Sequence, residues 1–306
     1  MSDQPDHTKT VEDHSRVRRG IVGIIAGATL WGINGTVQSW LMRTYSIDPL
    51  WLACIRELTA CWLFLAAAAA TSEGRKQICG VVRDRRGMLE IAVVAFGAIL
   101  FSQVSYLQAI NWTSSAMATI MQSLGMGLVL AWTCLRGRRA PSPREAIGLA
   151  LAFVGTFLVA TGGDPGQLSL PFMGLVWGLT CAASAAVLAI LPAQTMKRWG
   201  NFAVTGLAFL VSGITLLIFY RPWEHMPALD GAAIAAIAFA VVVGTFGSYT
   251  LYLQGAQDAG PMRASLLGTA EPIAATISTV VFLGTSLAPT DFVGFAMILA
   301  MVYLTA

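Results

Sequence analysis

The sequence predicts an all-α membrane protein of ten transmembrane helices, arranged as two inverted five-helix repeats. Three observations carry that expectation. Hydrophobic residues make up 56% of the 306 and charged residues only 11%, whereas a soluble domain carries about 25% charged residues. Apolar segments recur along nearly the whole chain, each about as long as a bilayer crossing requires. Basic residues gather in alternate connections, the asymmetry that marks cytoplasmic loops.

Residues 1–20 are polar and charged and read as a cytoplasmic tail, with no signal peptide expected ahead of Ile21. Ten apolar runs follow. They are Ile21–Leu41, Leu50–Ala70, Met88–Ala109, Ser114–Leu135, Ala146–Ala160, Pro171–Leu191, Phe202–Phe219, Ala232–Leu253, Met262–Leu283 and Phe292–Thr305. The fifth and tenth are short, and nine crossings result if one of them fails to span. An open strand is excluded for either, because lipid cannot satisfy its backbone groups.

The connections set the orientation. With the N-terminus inside, the inner segments hold Lys9, Arg16, Arg18 and Arg19, then Arg75, Lys76, Arg83, Arg85 and Arg86. They also hold Arg136, Arg138, Arg139 and Arg144, and finally Lys197 and Arg198. The outer segments hold only Arg43 and Arg221. Both termini are therefore expected in the cytoplasm.

An internal repeat supports five plus five. Sliding the chain on itself brings Tyr106-Leu107-Gln108 onto Tyr252-Leu253-Gln254, and in the same register Pro143 onto Pro289 and Gly148 onto Gly294. A slightly different register brings Gly23, Gly27 and Thr29 onto Gly174, Gly178 and Thr180. The copies are residues 21–160 and 171–305. Five is odd, so the second copy enters the membrane from the opposite side, the arrangement on which many alternating-access carriers are built.

Polar residues inside the runs are the candidates for function. In helix one Trp31, Asn34 and Gln38 fall three and four apart and share a face. Lipid solvates an amide poorly, so that face looks into the protein, as a solute wall or as helix–helix glue. Gly23 and Gly27 read as a packing step. Helix two carries Arg56 and Glu57. Arg56 either snorkels toward a headgroup or serves a site, and Glu57 is a coupling or gating carboxylate or a structural one. Helix three offers Gln103 and Tyr106, helix six Trp177, and helix eight Tyr249 and Tyr252. Their aromatic and amide groups suit a solute that must bind and then leave, although an interfacial belt also uses such residues. In helix nine Glu271 precedes Pro272. The proline frees a carbonyl one turn earlier, and an acid beside that break can carry a coupling proton or shape a hinge.

No phosphate loop, dinucleotide fingerprint, zinc-protease motif or nucleophile elbow is present. Five cysteines without CxxC spacing and three histidines give no expected metal site, and no cofactor is expected. The scattered basic residues of a chain with net charge +3 form no nucleic-acid stripe.

One run narrows the reading further. Leu267-Gly268-Thr269-Ala270-Glu271-Pro272-Ile273 resembles the alanine–glutamate–proline signature of the drug/metabolite transporter superfamily, in its EamA-like branch of bacterial exporters. Thr29-Leu30-Trp31-Gly32 in helix one resembles that branch too, as does Arg56 following Asp48-Pro49-Leu50. Gly284-Thr285 departs from the family, whose members often have glycine–glutamate there. The repeat counterpart of Glu271-Pro272 is Gly125-Met126, so the motif is not duplicated.

The resemblance covers about Ile21 to Thr305. It implies ten helices in two inverted repeats, a multi-pass position in the bacterial inner membrane, and a central cavity worked by alternating access. Relatives of this kind move small metabolites, and the chain is most similar to amino-acid exporters. The expected partners are a small-molecule substrate and membrane lipid, with monomer and dimer both open. An exporter of drug-like cations, an importer of a quaternary amine such as choline, and a non-transporting scaffold remain as alternatives.

Overall fold

The computed structural model describes residues 7–164 and 169–305. Every regular element among them is helical. Eight helices are long and apolar enough to cross a membrane: Ser15–Thr44, Pro49–Ala69, Arg85–Trp112, Ser115–Arg136, Pro143–Thr161, Phe172–Trp199, Asn201–Tyr220 and Gly231–Ala259. Two shorter apolar helices, Ala270–Leu283 and Pro289–Thr305, complete ten spans. Numbered in chain order, these are spans one to ten. Large side chains such as Phe153, Phe219 and Phe282 are exposed on the bundle's outside, where hydrocarbon rather than water surrounds a multi-pass membrane protein.

Local chemistry sets the span ends. The Asp48 carboxylate accepts from the Leu50 N–H and Pro49 opens span two. Ser142 and Glu145 form a reciprocal capping box ahead of span five, again with proline in the first turn. Gly162 and Gly284 close spans five and nine in left-handed conformations that favour glycine.

Two features depart from the sequence reading. The first helix begins at His7, so the expected tail is largely helical, and Met1–Asp6 lie outside the described residues. The basic connection after span two contains an amphipathic helix, Ser72–Arg83. Its apolar residues are too few for a transmembrane run, which is why hydropathy passes over it.

The packing obeys the repeat. Span one lies against spans eight and nine; span six, its counterpart, lies against spans three and four. Spans two and seven pack on each other, as do spans five and ten. Exchanging the two copies maps this pattern onto itself. Span one approaches span eight closely at Gly27, where a Cβ would sit 2.8 Å from the Ser248 carbonyl oxygen. The irregularities are paired too. Span three widens into a π-turn at Ala95–Leu100 and span eight at Val242–Gly247. Span four breaks at Leu124, and span nine is preceded by Pro261–Leu267 with the break at Gly268-Thr269. Pro272 has no N–H to give the Gly268 carbonyl, which instead accepts from Glu271 N–H at 3.0 Å.

Candidate functional site

A cavity of about 190 Å3 sits where spans one, two, three, four, six, eight and nine converge. Span one contributes Trp31, Asn34 and Gln38, the face expected from their spacing. Span three adds Ser102, Gln103 and Tyr106, span eight Thr245 and Tyr249, and span nine Glu271. Arg56 enters from span two.

Arg56 is 6% exposed and does not snorkel. Its Nη1 donates to Gln38 Oε1 at 2.7 Å, and its Nη2 to Gln103 Oε1 at 3.3 Å and Thr245 Oγ1 at 3.4 Å. The π-turn explains the last partner. Thr245 donates its hydroxyl five residues back, to the Ala240 carbonyl at 2.8 Å, and so turns a lone pair toward the guanidinium. All three acceptors are neutral, and no ion pair of Arg56 occurs among the described residues.

The aromatic wall is continuous. Trp31 meets Tyr249 edge-on with centroids 5.0 Å apart and Tyr252 at 4.9 Å. Tyr249 is backed in turn by Phe64 and Phe209. Tyr106 is fixed by a 3.1 Å hydroxyl contact with Thr119 of span four.

Glu271 and Gln122 also line a second, adjoining cavity of about 510 Å3. Its walls include Tyr252, Pro272 and the residues at both broken spans, Gly125-Met126 and Gly268-Thr269. It lies in the half of the bundle that carries Val129, Ala189 and Ala256. The opposite half is bridged by hydrogen bonds between spans and their connections. Thr36 of span one meets Ser278 and Thr279 of span nine at 2.6 and 3.1 Å. Arg43 donates to the Thr113 carbonyl at 3.0 Å, and the Tyr45 hydroxyl donates to Asp230 at 2.8 Å. That hydrogen bond raises the Tyr45 pKa. The Ala233 N–H, and after it the Tyr45 hydroxyl, hold the Asp230 carboxylate below its ordinary value.

Two expected residues stand elsewhere. Trp177 lines neither cavity; its indole packs against the apolar cluster around Leu52, Leu107 and Cys181. The signal was the indole alone, which does not say which neighbour a helix face meets. Glu57 is buried and turned toward Ser212 of span seven, away from both cavities, with neither carboxylate oxygen hydrogen-bonded among the described residues. Tyr252 and Pro272 line the adjoining cavity rather than the central one. Sequence reasoning passed over Gln122, Leu188 and Thr245. Gln122 could have been found by the rule that singled out Gln38, an amide within an apolar run; Thr245 depends on a π-turn with no local signature.

Comparison with known proteins bears on what this geometry is for. A family model described as the EamA-like transporter family matches the chain twice, over residues 18–161 and 172–306. A Salmonella typhimurium protein described as the uncharacterized inner membrane transporter YicL is 29% identical over 287 residues, 94% of this chain and 95% of its own. A Bacillus subtilis protein described as the uncharacterized transporter YwfM is 23% identical over 90% of each chain. A solved structure titled only as the crystal structure of a protein covers 95% of this chain and 97% of its own, with a TM-score of 0.62 at 18% identity. At that identity the likeness concerns the fold alone.

Proposed function

Because the chain belongs to the EamA-like transporter family, we propose that it exports amino acids or similar small amphipathic metabolites by alternating access through the central cavity. The observation that carries the reading is one chamber joining an indole–tyrosine wall, amide groups, a buried arginine and a carboxylate. An amphipathic solute needs all of these: apolar surface for its side chain and polar groups for its head.

Trp31, Tyr249 and, from the adjoining cavity, Tyr252 take the apolar part of the solute, with Tyr106 at the wall shared with span four. Asn34, Gln38 and Gln103 hydrogen-bond the head or orient the groups that do. Arg56, Glu271 and Pro272 sit where binding and movement meet, at the tether across spans one, three and eight and at the break in span nine. Glu57, buried between spans two and seven, acts as a gate from outside the chamber.

The distribution of basic residues supports a protein with both termini in the cytoplasm of a bacterial cell, lying in the inner membrane. In that orientation the adjoining cavity faces inward and the Tyr45–Asp230 end faces outward and is closed. This is the state in which an exporter loads. Export is the direction that resemblance to exporters supports.

The test is transport by the purified protein in liposomes loaded with mixed unlabelled amino acids. Saturable uptake of labelled leucine, methionine, threonine or phenylalanine above empty liposomes is the expected result, and a pH gradient that changes it indicates proton coupling. No uptake of any of the four by folded protein overturns the substrate class. One observation favours a second reading: three aromatic rings within stacking distance suit a quaternary amine held by cation–π contact. Labelled choline or tetraphenylphosphonium in the same assay decides it. Arg56, a fixed positive charge in the same chamber, weighs against it.

A further inference from the structure

We propose that Arg56 and Glu271 are the two poles of a zwitterion site: Arg56 takes the solute's carboxylate, Glu271 takes its ammonium group, and the side chain lies against Trp31. The inference rests on the amino-acid reading above and adds a charge requirement and an orientation to it.

The first observation concerns Arg56. A guanidinium does not give up its proton in a protein, so burial cannot neutralise it. Buried charges are ordinarily paired. Here three of the five N–H donors go to neutral oxygens, those of Gln38, Gln103 and Thr245. No carboxylate lies in ion-pair distance among the described residues. Glu57 adjoins Arg56 in sequence but turns toward Ser212, outside the cavity. The site therefore holds a full positive charge with no carboxylate in contact, its Nη groups resting on neutral oxygens alone. A solute carboxylate that displaces the Gln103 or Thr245 oxygen, the two long contacts, meets the planar fork.

The second observation is independent of the first and lies on span nine. Glu271 lines the same chamber, and no hydrogen bond to its carboxylate is formed among the described residues. Gln122 of span four lines the same chamber, and its Oε1 has no partner among the described residues, whereas the Asn34 amide packs against Gly244 of span eight. The Glu271 carboxylate and the Gln122 amide oxygen are acceptors that an ammonium group, with its three donors, satisfies. The other titratable groups on the walls are the hydroxyls of Tyr106 and Tyr249, each of which can follow the solute as donor or acceptor. A solute with only one of the two charges leaves the other pole unmatched, and an unmatched buried group is what discriminates between close analogues.

The experiment needs no variant at its first stage. The full chain in liposomes exchanges labelled leucine, or phenylalanine if that moves better, against unlabelled competitors. For leucine these are 4-methylpentanoate, which lacks the ammonium group, and 3-methylbutylamine, which lacks the carboxylate; 3-phenylpropanoate and 2-phenylethylamine serve for phenylalanine. Each is expected to compete at least about tenfold more weakly than the amino acid. An analogue that competes as well as the amino acid overturns the proposal. At the second stage Arg56→Gln is expected to raise the amino-acid KM about tenfold or more and to spare inhibition by the amine. Glu271→Gln is expected to raise it similarly and to spare inhibition by the acid. Arg56→Lys, which keeps the charge and loses the fork, is expected to fall between Arg56→Gln and the unaltered protein. Equal loss of both analogues in each variant overturns the assignment of poles. If the unaltered protein exchanges no amino acid at all, the amino-acid reading fails and this inference fails with it. If it exchanges amino acids without discriminating the analogues, the inference alone fails.

Discussion

Span four and span nine occupy equivalent places in the two repeats: span four is interrupted at Leu124, and span nine follows a short helix and an interruption at Gly268-Thr269. The backbone is alike: a short helix, an interruption, and a second helix. The side chains are not. Where span nine carries Glu271-Pro272, span four carries Gly125-Met126. The proline accounts for the break in span nine, since the Gly268 carbonyl loses its usual donor. In span four no proline is present, and Gly125 lies against span six instead, where a Cβ would sit 2.9 Å from the Ala182 carbonyl oxygen. The same interruption thus accompanies a missing donor in one copy and close packing in the other. Spans two and seven differ in the same way: span two carries Arg56, and span seven, Asn201–Tyr220, has no basic residue. Duplication has kept the frame, and each pole of the chamber belongs to one copy only.

Five substitutions break or sharpen that comparison. The largest effect is expected from Glu271→Gln, which removes the charge from span nine and keeps its shape. Amino-acid uptake should fall about tenfold to a hundredfold, the worth of a charged hydrogen bond, with the melting temperature nearly unchanged. Uptake as fast as the unaltered protein's would take Glu271 out of the site. Next comes Trp31→Ala, expected to raise the KM about tenfold through lost apolar contact of roughly 1–3 kcal/mol. Unchanged transport of every accepted solute would remove the indole from the chamber.

A paired experiment on the two breaks has a smaller expected effect. Gly125→Ala forces a methyl against span six and should lower stability by about 1–3 kcal/mol, read as a fall in melting temperature. Pro272→Ala returns a donor to the Gly268 carbonyl, so stability should hold or rise while transport slows several-fold. A fall in stability for Pro272→Ala as large as that for Gly125→Ala would mean that the two bends share one cause.

The smallest effect belongs to the closed end. Asp230 has a depressed pKa, so its contribution is present above the ordinary carboxyl value of about 3.9 and is lost as pH falls through the folded value. Tyr45 has a raised pKa, so its part is present below about 10 and is lost as pH rises through the folded value. Tyr45→Phe should therefore shift the melting temperature by a degree or less near neutrality, remove the alkaline-side dependence and lessen the acid-side one, most of which the Ala233 N–H keeps. An undiminished acid-side dependence in Tyr45→Phe would assign it to other groups.

The frame was legible because bilayer thickness fixes the length of an apolar run, and the bundle has few ways to place a charge. Arg56 and Glu271 stand out in sequence for that reason, and both reach the chamber. The Trp31, Asn34 and Gln38 face follows from helical spacing. The rest depended on tertiary placement. Nothing local tells Trp177, which meets an apolar cluster, from Trp31, which meets two tyrosines. Arg56 and Glu57 are neighbours on one helix, and a turn of about 100° between them sends one into the chamber and the other toward span seven. Thr245 and the helix Ser72–Arg83 escaped because a π-turn has no signature and an interfacial helix has too few apolar residues for a hydropathy window.

The π-turns of spans three and eight have a mechanical consequence. Each holds one residue more per turn of helix than the α-form needs. If the bulge slides along its helix by one register, the stretch it passes through rotates by about 100° while the helix ends stay where they are. Gln103 and Tyr106 follow the bulge of span three, and Tyr249 and Tyr252 follow that of span eight. Such a slide would present different side chains to the chamber without lengthening, tilting or melting either span. Because the copies run in opposite directions, the two slides would hand the lining over from opposite ends, as a pair of keys turned in facing locks.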